Sequence, residues 1–295
     1  MIQNINWYPG HMKKTRELIQ ENLKAVDLVI ELLDSRIPIS SRNPIIDELV
    51  GDKRRIVLLG KSDLADSEET EKWQRYFSRK GDKTLAIDAR SGENINRLFS
   101  ILDDVQREKN QQRQMNRSIR MMVVGVPNVG KSTIINQLHG GAIAQVGNRP
   151  GVTRANQWVR VGEYLEVLDT PGLLWPKLDD PVAARRLAYI SAIRDEVVDT
   201  FALSCALLED MTALAPEALT ARYKITDMSL RGQALLEAVC RGRGFLLRGG
   251  ELDIERASAV VLDEFRDGKL GRLTLEAPPE TAEKAPVKEN NDDAQ

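Results

Sequence analysis

The residues Gly125-Val126-Pro127-Asn128-Val129-Gly130-Lys131-Ser132 have the spacing G-x-x-x-x-G-K-[ST]. These residue types suit the wrapping of a phosphate group. Glycines let a backbone curl around an anion without side-chain clashes. The loop amides and the first turn of the helix that follows then point at the charge. Lys131 places a cation on the β- and γ-phosphates, and Ser132 offers a hydroxyl to Mg²⁺. Asn128, Val129, Gly130 and Thr133 complete the stretch expected to touch a nucleotide. Downstream, Asp169-Thr170-Pro171-Gly172 again follows an apolar run. Asp169 can hold Mg²⁺ through water, and the Gly172 amide can meet a γ-phosphate and register its loss. Between the two lies Pro150-Gly151-Val152-Thr153, where Thr153 is either the switch hydroxyl on Mg²⁺ or a plain turn residue.

Recognition of guanine calls for an aspartate at a strand end, accepting from the ring N–H and the exocyclic amine. No good copy of an Asn-Lys-x-Asp element stands downstream of DTPG. Upstream, Gly60-Lys61-Ser62-Asp63 closes one apolar run, and Asp88-Ala89-Arg90-Ser91-Gly92 follows another. The latter is similar to a loop that backs the guanine oxygen with an amide. The base motifs therefore precede the phosphate motifs. A permuted order is compatible with one domain, because domain termini often lie close together.

Runs at 28–34, 54–60, 84–88, 119–125 and 164–168 are short and apolar, as expected of strands covered on both faces. Helix-like stretches at 12–26, 67–80, 94–112 and 131–139 separate several of them. Strand–helix alternation predicts a parallel sheet with ligands at the carboxyl ends of its strands, which is where the motifs fall. Residues 181–276 read almost wholly as amphipathic helix, with a break between Leu178 and Pro181. The expected division is residues 1–178, residues 179–276 as a small helical domain, and residues 277–295 as an acidic tail.

Composition excludes other classes. The 295 residues are 42% hydrophobic and 29% charged, with no run near the length of a membrane helix and no visible secretory signal at the first residues. Only Cys205 and Cys240 are present, too few for a four-cysteine zinc site, so a cytoplasmic location is expected, without membrane partners. The net charge of -2 hides a split: Glu276 to Gln295 holds six acids against two bases, and its Pro/Glu/Asn-rich composition predicts disorder. Basic residues cluster in Val105–Met122 (five bases, one acid) and in Arg231–Arg248 (four Arg, one Glu), either as phosphate-contacting patches or as solvated helix faces.

The order of base motifs, phosphate loop and switches resembles that of the circularly permuted GTPases. WYPGHM (Trp7–Met12), LLDSRIP (Leu32–Pro38), SSRNP, PNVGKSTIIN, RPGVT and DTPGLLWPK are similar to the ribosome-assembly GTPases of the RbgA/YlqF type, over residues 5–276. The resemblance implies a circularly permuted P-loop (Ras-like) α/β domain with a mostly parallel sheet, followed by a small all-helical domain. It implies hydrolysis of GTP to GDP and phosphate, slow alone and stimulated by the ribosome. The implied partners are the large (50S) ribosomal subunit, at a late assembly step, and rRNA. A nucleotide-gated rRNA-binding scaffold with negligible hydrolysis is the alternative.

Three details follow from it. Leu173 and Leu174 stand where many GTPases place a Gln, and Leu cannot hydrogen-bond the attacking water. His11 is the group suggested in its place, or else it caps a turn or contacts RNA. In similar proteins an Asn at the Asn128 position helps coordinate K⁺; the plainer role is a loop Asn stabilising its own turn. The family pattern has Asn where this chain has Gly60, a loss of about 1–3 kcal/mol in contacts that leaves guanine preference, through Asp63, in place.

Overall fold

The computed structural model describes residues 10–113, 118–140, 157–162, 164–175 and 180–279. Thr153 and the tail from residue 280 lie outside them. Six strands form one sheet: β1 (Leu28–Asp34), β2 (Arg55–Gly60), β3 (Lys83–Ile87), β4 (Ile119–Val124), β5 (Gln157–Val161) and β6 (Leu165–Asp169). Their spatial order is β3-β2-β1-β4-β6-β5. All neighbours run parallel except β5 against β6. The strand leading into the phosphate loop, β4, therefore lies beside β1, the first strand of the chain. The strand carrying the base motif, β2, is one step further out.

Helices α1 (Gly10–Leu23), α2 (Pro44–Val50), α3 (Ser67–Arg79), α4 (Ile95–Arg113) and α5 (Lys131–His139) accompany the sheet. All seven residues of β1 are buried, as two covered faces require. The antiparallel β5 was not expected from the sequence. It is an edge strand with Val159 and Val161 inside and Trp158 out, too short for its alternation to stand clear. The short α2 was also not expected. Its start is set by Asn43, whose side chain accepts from Ile45 N at 3.0 Å, with Pro44 at the first helical position.

A carboxylate lies in the middle of the sheet. Glu31 of β1 is fully buried, with Arg42 Nε and Arg55 Nη1 each 3.4 Å away. Burial pushes its carboxyl up from 4.5 to about 7, against the pull of the two guanidinium groups. A folded-state value above the unfolded one means the contribution to stability is fully present below the unfolded value and is lost as pH rises through about 7. Both arginines keep Asp47 and Asp82 as partners. Glu31→Gln is therefore expected to match the parent near pH 4.5 and to exceed its stability at pH 8 by about 3 kcal/mol, read by urea unfolding. Parallel pH profiles for the two chains would refute this.

The C-terminal part is helical: α6 (Pro181–Tyr189), α7 (Thr200–Leu214), α8 (Pro216–Tyr223), α9 (Gln233–Arg243) and α10 (Ile254–Arg266). Its buried phenols are paired, Tyr189 Oη donating to Asp210 and Tyr223 Oη to Glu264, each at 2.9 Å. Helix is not continuous to residue 276, however. Residues 244–253 turn back through a Leu246–Leu252 bridge, and the chain after Gly268 is irregular.

That irregular end lies on the sheet domain. Glu276, counted in the sequence with the disordered acidic tail, is 6% exposed. Its carboxylate accepts from Ile39 N at 2.7 Å, Ser40 N at 3.1 Å and Arg186 Nη1 at 3.1 Å. Its carbonyl accepts from the indole of the buried Trp73 at 2.9 Å.

Candidate functional site

Five parallel strands ending on one edge bring their following loops together there. The loops after β2, β3, β4 and β6 line a cavity of about 860 Å³. After β4, the expected glycine positions have separate causes. Gly130 caps α5 at φ 102°, the left-handed region that L side chains avoid. Gly172, from the loop after β6, lies so close that a Cβ would stand 2.5 Å from Pro127 Cα, so only glycine lets the two loops touch.

Asn128, Val129, Gly130, Lys131, Ser132, Thr133 and Gly172 all line the cavity. Lys131 Nζ donates to Val126 O at 3.0 Å and Gly125 O at 3.3 Å. Burial pulls its ammonium down from 10.5 to about 8, partly offset by Asp169. Ser132 Oγ lies 3.2 Å from Asp169 Oδ2. Asp169 is buried beneath the cavity. Hydroxyl and carboxylate oxygens together are a hard donor set of the kind Mg²⁺ takes.

Lys61, Asp63, Asp88, Ala89 and Arg90 reach the same cavity from the loops after β2 and β3. Lys61 sits at φ 55° and donates to Asn128 O at 2.7 Å, which ties the base loop to the phosphate loop. A Cβ on Gly60 would stand 2.9 Å from Leu32 Cδ1 and 3.5 Å from Val129 O, so a larger residue here requires the end of the Leu32 side chain to move. Burial and the neighbouring Asp88 raise the carboxyl of Asp63 above its ordinary value. Ser62 does not line the cavity; it is buried below it. The carboxylate of Asp88 turns back on its own loop, accepting from Arg90 N at 2.8 Å and Ser91 N at 3.2 Å. Asp88 thus shapes the loop that presents Ala89. His11 is the second residue of α1, and its side chain lies outside the described residues, as does Thr153.

Several site residues fall in motifs that the sequence showed without giving their contacts. Arg36 is buried, pairs with Asp34 at 2.8 Å and donates to Phe265 O at 3.2 Å, at the end of α10. Burial disfavours a charged Asp34, but Arg36 and Lys61 outweigh it and hold the carboxyl well below its usual range. Asn43 Nδ2 donates to Leu173 O at 2.8 Å, and Leu173 N donates to Gly125 O at 3.2 Å. Leu173 and Leu174 are fully buried, so neither side chain faces the cavity. The far wall comes from the helical part, including Ser191, Arg256 and Lys269. Across it, Asn128 Nδ2 donates to Ile190 O at 2.8 Å.

The basic clusters are partly used internally. Lys109 bonds Asp27 and Ser118 O, Arg120 pairs with Glu166, and Arg243 pairs with Glu264. Leu246 and Leu247 are exposed beside Arg248 at the turn after α9.

A phosphate loop between strand and helix, with a base loop two strands away in the same sheet and earlier in the chain, defines a circularly permuted P-loop GTPase. A family described as "50S ribosome-binding GTPase" matches residues 120–223, which begin after both base loops. Ribosome biogenesis GTPase A of Bacillus cereus is 42% identical over 95% of this chain and 96% of its own. Mitochondrial ribosome-associated GTPase 1 of Mus musculus is 32% identical over 92% and 89%. The crystal structure of GNP-bound YlqF from T. maritima superposes with a TM-score of 0.61 at 28% identity, covering 90% of this chain and 98% of that one. The chain belongs to the ribosome biogenesis GTPase A (RbgA/YlqF) family.

Proposed function

We propose that this chain binds GTP, docks in that state on the maturing large (50S) ribosomal subunit, promotes a late assembly step and leaves after hydrolysis to GDP and phosphate. The observation that carries the reading is the convergence of base loop and phosphate loop on one cavity, joined by Lys61 and Asn128. Asp63 accepts from guanine, with the Ala89 amide on its oxygen. Lys131 meets the phosphates. Ser132, Asp169 and Thr153 hold Mg²⁺, which neutralises charge on the phosphates when bound. Asn128 would help hold K⁺, which would supply positive charge near the phosphates; its Nδ2 is already engaged with Ile190 O. His11 orients the attacking water, and the C-terminal domain, residues 179–276, contacts rRNA. No described helix is long and apolar enough to cross a membrane.

The burial of Leu173 and Leu174 favours a second reading, an rRNA-binding scaffold gated by nucleotide with negligible hydrolysis of its own. Co-sedimentation with large subunits tests the main one. Retention is expected with a GTP analogue and release with GDP; equal retention in both defeats nucleotide gating. In the same samples, subunits are expected to raise turnover, and His11→Ala to lower it while sparing GTP affinity. Turnover that subunits leave negligible would favour the scaffold.

A further inference from the structure

The loop that carries Asp63 is held from the opposite end of the chain. Arg272 Nε donates to Ala65 O and its Nη2 to Ser62 O, both at 3.0 Å. Leu273 N donates to Leu64 O at 3.0 Å, and Asp66 N donates to Thr274 Oγ1 at 3.1 Å. Three consecutive residues thus bond Ser62, Leu64, Ala65 and Asp66. The residue they pass over is Asp63, which lines the cavity.

The loop has little to fix it from within. It is a single 3₁₀ turn, Ser62–Leu64, closed by Leu64 N donating to Lys61 O at 3.0 Å and entered through a left-handed Lys61. Such turns have poor hydrogen-bond geometry. Contacts from outside therefore decide where the Asp63 carboxylate stands. The two Arg272 bonds are charge-assisted, the strong kind, and its planar fork fixes both carbonyls at once.

We propose that Arg272 is a positioning residue for base recognition: by clamping Ser62 O and Ala65 O it holds the Asp63 carboxylate where it accepts both the ring N–H and the exocyclic amine of guanine. The inference rests on the reading of Asp63 as the guanine acceptor. Its signature is discrimination between GTP and ITP, because hypoxanthine lacks only the exocyclic amine. A carboxylate that wanders loses the bond that separates the two bases.

The experiment measures binding of GTP, ITP and XTP by calorimetry to the full-length chain. Arg272→Ala is expected to weaken GTP about tenfold and ITP less, narrowing the GTP/ITP ratio roughly threefold or more. Arg272 is largely exposed, so its truncation opens no core cavity. Arg272→Lys, which reaches one carbonyl at a time, should give an intermediate ratio. A GTP/ITP ratio unchanged in Arg272→Ala, even with a lowered melting temperature, overturns the proposal, since a purely structural tie would behave that way. Asp63→Asn separates the two levels of the argument. Its amide can donate to the extra carbonyl of xanthine, so preference should move from GTP to XTP. If it does not, the reading of Asp63 fails and the role of Arg272 falls with it. If it does, and Arg272→Ala keeps the parent ratio, only the role of Arg272 is lost.

Discussion

Lys131→Met is expected to slow nucleotide turnover severely and to stabilise the fold. Lys131 is 7% exposed, and burial holds its ammonium near a pKa of 8 instead of 10.5. Below about pH 8 both folded and unfolded chains carry the charge, and the folded one carries it without its hydration. A depressed folded-state value means that its stabilising share is present above the unfolded value and lost as pH falls through the folded one. At pH 7 the destabilisation is complete. Methionine keeps the length of the side chain without the charge, and Gly125 O keeps a donor in Leu173 N. The expected gain is about 1–3 kcal/mol at pH 7, shrinking as pH rises from about 8 towards 10.5. Turnover should fall on the order of 10²–10³-fold, the scale of losing one preorganised charge on a phosphoryl group. Thermal melts across pH and a phosphate-release assay check both halves. A variant that melts lower, or one that turns over within about tenfold of the parent, contradicts the assignment. The opposite signs mark a residue kept for chemistry at the expense of stability.

Glu276→Ala should show the reverse pattern, with a large loss of stability from the residue expected to end the helical domain, one position before the acidic tail. Its side chain is 2% exposed. Alanine would strand two backbone N–H groups, Ile39 and Ser40, and leave Arg186 with Leu275 O but without its carboxylate. Removing one partner of a buried charge pair costs about 3–5 kcal/mol. Glu276→Gln keeps the volume and one acceptor oxygen, and should lose less. Urea unfolding of the three chains tests the order parent, Gln, Ala; an Ala variant as stable as the parent would show the contact to be dispensable. The same segment carries Arg272, so a weakened strap should also loosen the Asp63 loop.

These two residues mark where the sequence was readable and where it was not. Lys131 belongs to an octet whose function is local: loop amides, a helix start, and a cation and hydroxyl at fixed offsets. Residue types and spacing state that chemistry directly, and the strand and helix around it followed from short apolar runs and a helical period. The parallel sheet, the clustering of motifs at strand ends and the inverted motif order were legible for the same reason. Edge strand β5 was not, because five residues with one face exposed carry too little pattern. Asp88 was legible as a site residue, but the use of its carboxylate on its own loop was not.

What the sequence determined by itself is the chemistry on offer: a phosphate loop, a magnesium-suited pair, a guanine acceptor and their order along the chain. Tertiary structure alone decided what holds those groups in register. Lys61 reaches Asn128, Arg36 reaches the end of α10, and Arg272 and Glu276 return from the C-terminal end to the base loop and the loop after β1. Most of these partners are backbone carbonyls and amides, which every residue type carries. A contact between a side chain and a backbone group some 200 positions away therefore leaves no trace in composition or spacing, and is fixed only when the chain has packed.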